Sequence, residues 1–254
     1  MTVEHHPDAV VLLRLNRPQA RNALNASLRI RLVELLQAAD ANEDVRCIVL
    51  AGDAKAFSAG ADLNELQADV GPIDMLLRET GRFWNSVASV RKPLVAAVRG
   101  RAFGGGCELA MLADILVAGR TALFGLPEVK VGLMPGAGGT QRLPRLCGNP
   151  QALLALLTGE PFDAEAALRM GLVSEVVDDE VVESRALVIA ATIAARPPLA
   201  IRQIKQVVRR GADCALESAL ALETAALQVL LASEDRKEGV RAFLEKRAPV
   251  FTGR

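Results

Sequence analysis

Two glutamates lie in apolar surroundings. Glu108 follows Gly104-Gly105-Gly106 and Cys107 and precedes Leu109, Ala110, Met111 and Leu112, while Glu128 follows Gly125-Leu126-Pro127 and precedes Val129. A carboxyl buried among such neighbours is costly unless it is paired, hydrogen-bonded or protonated, and its pKa rises toward the range useful for proton transfer. Two of them make an acid/base pair conceivable; each could equally be a solvated edge residue or a partner at a helix N-terminus. The glycine run adds a second kind of chemistry. A glycine turn entering a helix aims unsatisfied N–H groups and the positive end of the helix dipole outward, which makes an anion site. Where the anion develops on a carbonyl oxygen, such donors form an oxyanion hole, each worth about 2.7–4 kcal/mol; tight strand-to-helix packing produces the same glycine pattern. A third stretch, Ala56-Phe57-Ser58-Ala59-Gly60-Ala61-Asp62, carries only small side chains from Ser58 to Ala61. That leaves backbone amides accessible, although many surface loops look alike.

Other chemistries are short of residues. Histidine occurs only at His5 and His6, read as a solvated N-terminal segment, and tyrosine is absent. A Ser-His-Asp or Cys-His triad and an H-E-x-x-H zinc site are therefore disfavoured. No phosphate-cradling G-x-x-x-x-G-K-[ST] occurs, and neither the Gly104 run nor the glycines from Gly136 to Gly139 complete G-x-G-x-x-G. Cys47, Cys107, Cys147 and Cys214 are scattered without a C-x-x-C pair, so no metal or disulfide framework is expected and a reduced, cytoplasmic setting fits. Thirty basic residues balance thirty acidic ones, which argues against nucleic acid as a partner and makes Arg209-Arg210 a solvated helix face. No apolar run is long enough to cross a bilayer, and the first residues lack the pattern of a secretory or transit leader. No membrane partner is expected.

These groups need elements to place them. Short apolar runs over 9–16, 45–51, 94–98 and 115–119 read as strands, and 27–41 reads as an amphipathic helix opened by Ser27. The stretch 52–66 reads as a small-residue loop leading into a helix near Asp62; 72–90 reads as helix, and 106–112 as a short apolar helix after the glycines. A helical pattern covers 150–157, a helix–strand pair follows, and from about 180 to 246 only helices are expected. The implied organisation is an α/β core over 1–178 followed by a helical region over 179–254.

Five ordered stretches carry a resemblance: LNRPQARNAL, AFSAGADLNEL, KPLVAAVRGRAFGGGCELAMLADI, FGLPEVKVGLMPGAGGTQRLPRLCG and DRKEGVRAFLEKRAPVF. In order and spacing they resemble the enoyl-CoA hydratase/isomerase (crotonase) family over essentially the whole chain. The resemblance implies an α/β spiral of ββα units with a C-terminal helical region that assembles homotrimers or homohexamers. It implies an acyl-CoA thioester as substrate, with CoA part of the substrate rather than a separate cofactor.

In that family two backbone amides hold the thioester oxygen; the matching positions are Ala61 and Gly105. The two glutamates that flank water in the hydratases match Glu108, assigned to deprotonating the water, and Glu128, assigned to protonating the α-carbon. Isomerases commonly manage with the residue matching Glu128 alone, so retention of both favours hydration of a 2-enoyl-CoA. For CoA itself the resemblance points to Arg21 near a phosphate, to Ala59, Gly60, Ala61, Asp62 and Leu63 bordering adenine and pantetheine, and to Phe243 and Lys246 near CoA, sometimes from a neighbouring subunit. The chain departs from the pattern at Leu126, where hydratases often carry a polar residue. Acyl-lining residues are expected from 63–90 and the helical tail.

Overall fold

The computed structural model describes residues 1–66 and 80–254. Two sheets organise the chain. The large one holds six strands in the order β1 (Thr2–His6), β2 (Val10–Arg14), β3 (Cys47–Ala51), β5 (Leu94–Val98), β7 (Ile115–Gly119) and β10 (Glu175–Val177). The small one holds β4 (Ala56–Ser58), β6 (Arg101–Phe103), β8 (Leu123–Gly125) and β9 (Phe162–Asp163). Each turn of the spiral adds a long strand to the large sheet and then a three-residue strand to the small one: β3 then β4, β5 then β6, β7 then β8. Within each sheet these strands run parallel, with Ile48 opposite Leu94, Val95 opposite Ile115, and Arg101 opposite Leu123.

The long strands are apolar on both faces, the pattern of a parallel sheet covered on two sides. Side-chain alternation sends Val11, Leu13, Ile48 and Leu50 into one core, which α1 (Ala26–Ala41) closes with Leu28, Leu32, Leu36 and Ala39. Val10, Leu12, Val49, Val95 and Val117 point the other way. The helix over Val182–Ala194 covers that face with Val182, Ala186, Ala190 and Ala194, a four-residue repeat of small side chains that lets it lie close on the sheet.

Several sequence-based expectations need correction. Residues 2–6, read as a solvated segment, are mostly exposed but form edge strand β1, antiparallel to β2. Helix α1 is capped by Asn25, whose Oδ1 accepts from the Leu28 amide, rather than opened by Ser27. The stretch read as a loop over 52–66 contains β4, and three-residue strands such as β6 and β8 are too short to show a period-2 signal. The helix after the glycines spans Gly105–Ala110. Of the helix expected over 72–90, Thr80–Ala88 is helical, and residues 72–79 lie outside the described residues.

After β10 the chain runs through helices over Val182–Ala194, Pro198–Gly211, Leu216–Leu231 and Glu234–Leu244. No single helix among the described residues is long and apolar enough to cross a membrane. The second of them is fastened to the core by Asp114, whose Oδ2 meets Lys205 Nζ at 2.7 Å and whose Oδ1 meets Arg209 Nη2 at 2.8 Å. The same carboxylate accepts from the Leu94 amide, while Lys205 donates to the Lys92 carbonyl and Arg209 to that of Leu112. Removing Asp114 strands the buried Lys205 and the half-buried Arg209, so Asp114→Ala should cost roughly 3 kcal/mol, read in thermal unfolding as a Tm drop of about 6–12 °C. Glu34→Ala, which breaks the exposed Arg31–Glu34 pair, should cost less than about 1 kcal/mol; equal losses in the two variants would refute this account.

Candidate active site

The C-terminal ends of the three parallel short strands bring the chemistry-bearing residues together. Ser58 ends β4 and is followed by Ala59, Gly60 and Ala61; Phe103 ends β6 and is followed by Gly104 and Gly105; Gly125 ends β8 and is followed by the 3-10 turn Pro127–Val131, which carries Glu128. The Gly104 amide donates to the Gly125 carbonyl at 2.8 Å, locking the second and third segments together.

The first and second segments touch backbone to backbone. Gly60 has φ +95°, and a Cβ on it would stand 2.6 Å from the Phe103 carbonyl oxygen and 3.1 Å from the Gly105 amide nitrogen. A Cβ on Gly106 would stand 2.3 Å from the Ser58 carbonyl oxygen, so no side chain fits there. At Gly105 the corresponding point lies 3.6 Å from the Ala61 amide nitrogen. The Ala61 and Gly105 amides therefore adjoin each other. Neither donates a hydrogen bond to another described residue, and Gly105 opens its helix, where the dipole adds positive potential.

Glu108, one turn further on, is 2% exposed. Its Oε1 accepts from the amides of Ala137 and Gly139, both at 2.8 Å. Burial pushes its pKa above the ordinary carboxylate value, partly offset by those two amides and by the charge of Arg142. Arg142 also donates from Nη1 to the Ala137 carbonyl at 2.7 Å, bracing the turn that holds the glutamate. Glu128 has less help. Its Oε1 stands 2.9 Å from where a Gly104 Cβ would be, and its buried Oε2 has no hydrogen-bond partner. Burial raises its pKa, a hydrogen bond from its own backbone amide partly offsets this, and the negative charge of Glu108 raises it further. The structure thus joins Ala61, Gly105, Glu108 and Glu128 in one cluster with two amides to spend and two desolvated carboxyls.

The remaining sequence-predicted positions are placed unevenly. Ala59 is exposed beside Gly60, and its amide donates to the carbonyl of Arg21, an exposed residue at φ +49°. Asp62 is buried, and its side chain is already engaged: Oδ2 pairs with Arg17 at 3.0 Å and Oδ1 accepts from Asn64, which hold its pKa below the usual value. Its carboxylate serves the loop. Leu63 begins the short helix Leu63–Leu66. Phe243, 83% exposed, and Lys246 sit at the end of the last helix, and no hydrogen bond or ion pair among the described residues joins them to this cluster. Cys107 is buried beside Glu108 with its thiol pushed up to about 12, which removes it as a nucleophile. No group of three or more His, Cys, Asp or Glu among the described residues is arranged to hold a metal.

Two contributors escaped the sequence reading. Asn22 is fully buried; its Nδ2 donates to Asp53 and to the Ala56 carbonyl, its Oδ1 accepts from the Arg17 amide, and its carbonyl accepts from Ser58 Oγ. It stitches the stretch after β2 to β4. The Ala137–Gly139 turn is the other, and its only signal was the glycine pair within the fourth stretch that carried the resemblance.

The enoyl-CoA hydratase/isomerase family model matches residues 5–254. The chain is 46% identical over 245 residues to the 2,3-dehydroadipyl-CoA hydratase of Escherichia coli K12, covering 96% of each. It is 44% identical to a probable enoyl-CoA hydratase of Mycobacterium tuberculosis, covering 96% of this chain and 95% of that one. Among solved structures, an enoyl-CoA hydratase from Bacillus anthracis superposes with a TM-score of 0.95 at 35% identity, covering 100% of this chain and 99% of that one. The chain belongs to the enoyl-CoA hydratase/isomerase family and has the crotonase fold, a family whose substrates are acyl-CoA thioesters.

The raised carboxyls have a thermodynamic consequence. A group whose pKa is higher folded than unfolded keeps its proton longer in the native state, so stability falls as pH rises from the unfolded value near 4.3 to the folded one and is level beyond it. Glu128→Gln lacks this penalty. Thermal unfolding should show the variant and the wild type equal below about pH 4, with the variant the more stable of the two at pH 8; a variant less stable at pH 8 than at pH 4, relative to wild type, contradicts the assignment.

Proposed function

We propose that this chain reversibly adds water across the 2,3 double bond of a trans-2-enoyl-CoA to give the 3-hydroxyacyl-CoA. The observation that carries the reading is the contrast between the two carboxyls beside the unspent amides. Glu108 has two amide donors and a nearby guanidinium, which favour the ionised form. Glu128 has only its own backbone amide to set against burial, an oxygen without a partner among the described residues and a negative neighbour, which favour the protonated form. Environments that push two carboxyls apart divide the labour of acid and base, although the protons titrate as a pair.

In this mechanism the thioester oxygen accepts hydrogen bonds from the Ala61 and Gly105 amides, and enolate charge accumulates there as the reaction proceeds. Glu108 removes a proton from water as its oxygen bonds to C3. The electron pair of the double bond moves toward C2, which takes a proton from Glu128. One water is consumed: its hydroxyl ends on C3, the equivalent of its remaining proton on C2. Restoring the starting protonation requires the proton on Glu108 to return to Glu128 or solvent. On the CoA side, exposed Ala59 and Ala61 on either side of buried Gly60, with Asp62 and Leu63 next to them, border the adenine and pantetheine, and exposed Arg21 meets a phosphate. A relative named for 2,3-dehydroadipyl-CoA supports a 2,3-unsaturated thioester as the substrate class.

The apolar residues that the helical region leaves exposed, among them Leu216, Leu220, Leu227, Phe243 and Leu244, fit a surface covered by further copies of the chain, which would also bring Phe243 and Lys246 of one copy toward the CoA of another. Light scattering on the eluting protein should give three or six times 27.0 kDa; a monomer at micromolar concentration would refute this part.

The catalytic assignment is tested by following loss of the enoyl-thioester absorbance with crotonyl-CoA. Glu108→Ala and Glu128→Ala should each lower kcat by about 10²–10⁴ while the circular dichroism stays native. Full activity in both folded variants would end the mechanism. Turnover of a 3-enoyl-CoA with none of the 2-enoyl-CoA would assign the site to isomerisation instead.

A further inference from the structure

Trp84, the only tryptophan of the chain, lies on the helix over Thr80–Ala88. The far edge of its six-membered ring, Cζ2 and Cη2, stands 3.6 Å from the point a Gly105 Cβ would occupy, the same distance at which the Ala61 amide nitrogen lies from that point. The open side of Gly105 is therefore bounded by an amide and by an indole edge. Phe83, buried in the core, meets the indole edge-on, with centroids 4.7 Å apart and planes at 70°, so the ring is supported by its neighbour while Trp84 itself remains half-buried.

We propose that Trp84 is a specificity-determining residue, the wall of the acyl pocket against which the first carbons beyond the thioester pack. This rests on the reading of Ala61 and Gly105 as the thioester's donors. A carbonyl oxygen held about 3 Å from both amides places its acyl chain within van der Waals reach of a ring that borders the same point. The ring does two things there. It takes up volume that a substituent on C2 or C3 would need, which selects unbranched enoyl chains. It also keeps water from the amides, whose pull on the developing oxyanion is stronger in a dry site, and its ring edge, the positive part of its quadrupole, is turned toward the same place.

Because Trp84 is the sole indole, its emission reports directly on the site. Titration of the wild type with butyryl-CoA, which has no double bond to hydrate, should shift or quench the emission saturably, and free CoA should do so far less. In parallel, kcat/KM is compared for crotonyl-CoA and for an enoyl-CoA branched at C2 in the wild type, Trp84→Phe and Trp84→Ala. The ratio of branched to straight should rise at least tenfold in Trp84→Ala, with Trp84→Phe intermediate. A purely structural role would lower both rates together and leave the ratio where it was.

No acyl-dependent emission change, or an unchanged ratio in a folded variant, overturns the proposal. If Trp84→Ala fails to fold, the wild-type titration and Trp84→Phe decide it. A wild type that turns over crotonyl-CoA with silent emission refutes the wall and leaves the hydratase reading intact. Saturable quenching without turnover of any 2-enoyl-CoA does the opposite.

Discussion

The contact between the stretch after β4 and the stretch after β6 is so close that backbone meets backbone. The Ser58 carbonyl fills the space where a Gly106 side chain would go, and the Phe103 carbonyl and Gly105 amide fill the space beside Gly60. Only that approach puts the Ala61 and Gly105 amides side by side. It depends on parallel pairing of two three-residue strands, too short to hold their own register. Register comes instead from Asn22, which bonds to both ends of β4's neighbourhood, and from the long strands β3 and β5, which fix where each short strand begins.

The division into two sheets follows from the same need. A parallel sheet exposes its ligand-binding potential at the carboxyl ends of its strands, and the small sheet presents three such ends at once. The large sheet carries the main core: its inner strands β2, β3, β5 and β7 are buried on both faces, between α1 on one side and the small-residue stripe of Val182–Ala194 on the other. That separation allows desolvated features to collect in the small sheet. Positive φ at Gly60 and Gly104 is open to glycine without strain, but two carboxyls held away from water are unfavourable, and a rigid apolar body elsewhere offsets them.

Legibility in the sequence followed the range of the interactions involved. The long strands could be read because each is a continuous apolar run, and the helices after residue 180 because their patterns are long. The three-residue strands could not, since three residues carry no period, and β4 was hidden among small residues that resemble a loop. At the site, residue types were enough to single out Glu108, Glu128 and the glycines, but not what holds them. The donors to Glu108 come from 29 and 31 residues away, and those within the Asn22 network from as far as 36. Asp62 shows the limit from the other side. Its position beside the loop was readable, but its pairing with Arg17, 45 residues earlier, was not.

Leu126 shows how one side chain keeps the setting of Glu108 dry. It is fully buried, and its Cδ1 and Glu108 Oε1 both crowd the point where a Gly139 Cβ would stand, at 3.2 and 3.0 Å. A polar residue at that position could offer Glu108 another donor; leucine offers only a dry surface. Glu108 is therefore left with the Ala137 and Gly139 amides and the charge of Arg142 as its whole stabilisation, and burial outweighs them. Its carboxyl is thus held closer to neutrality than a fully solvated carboxylate.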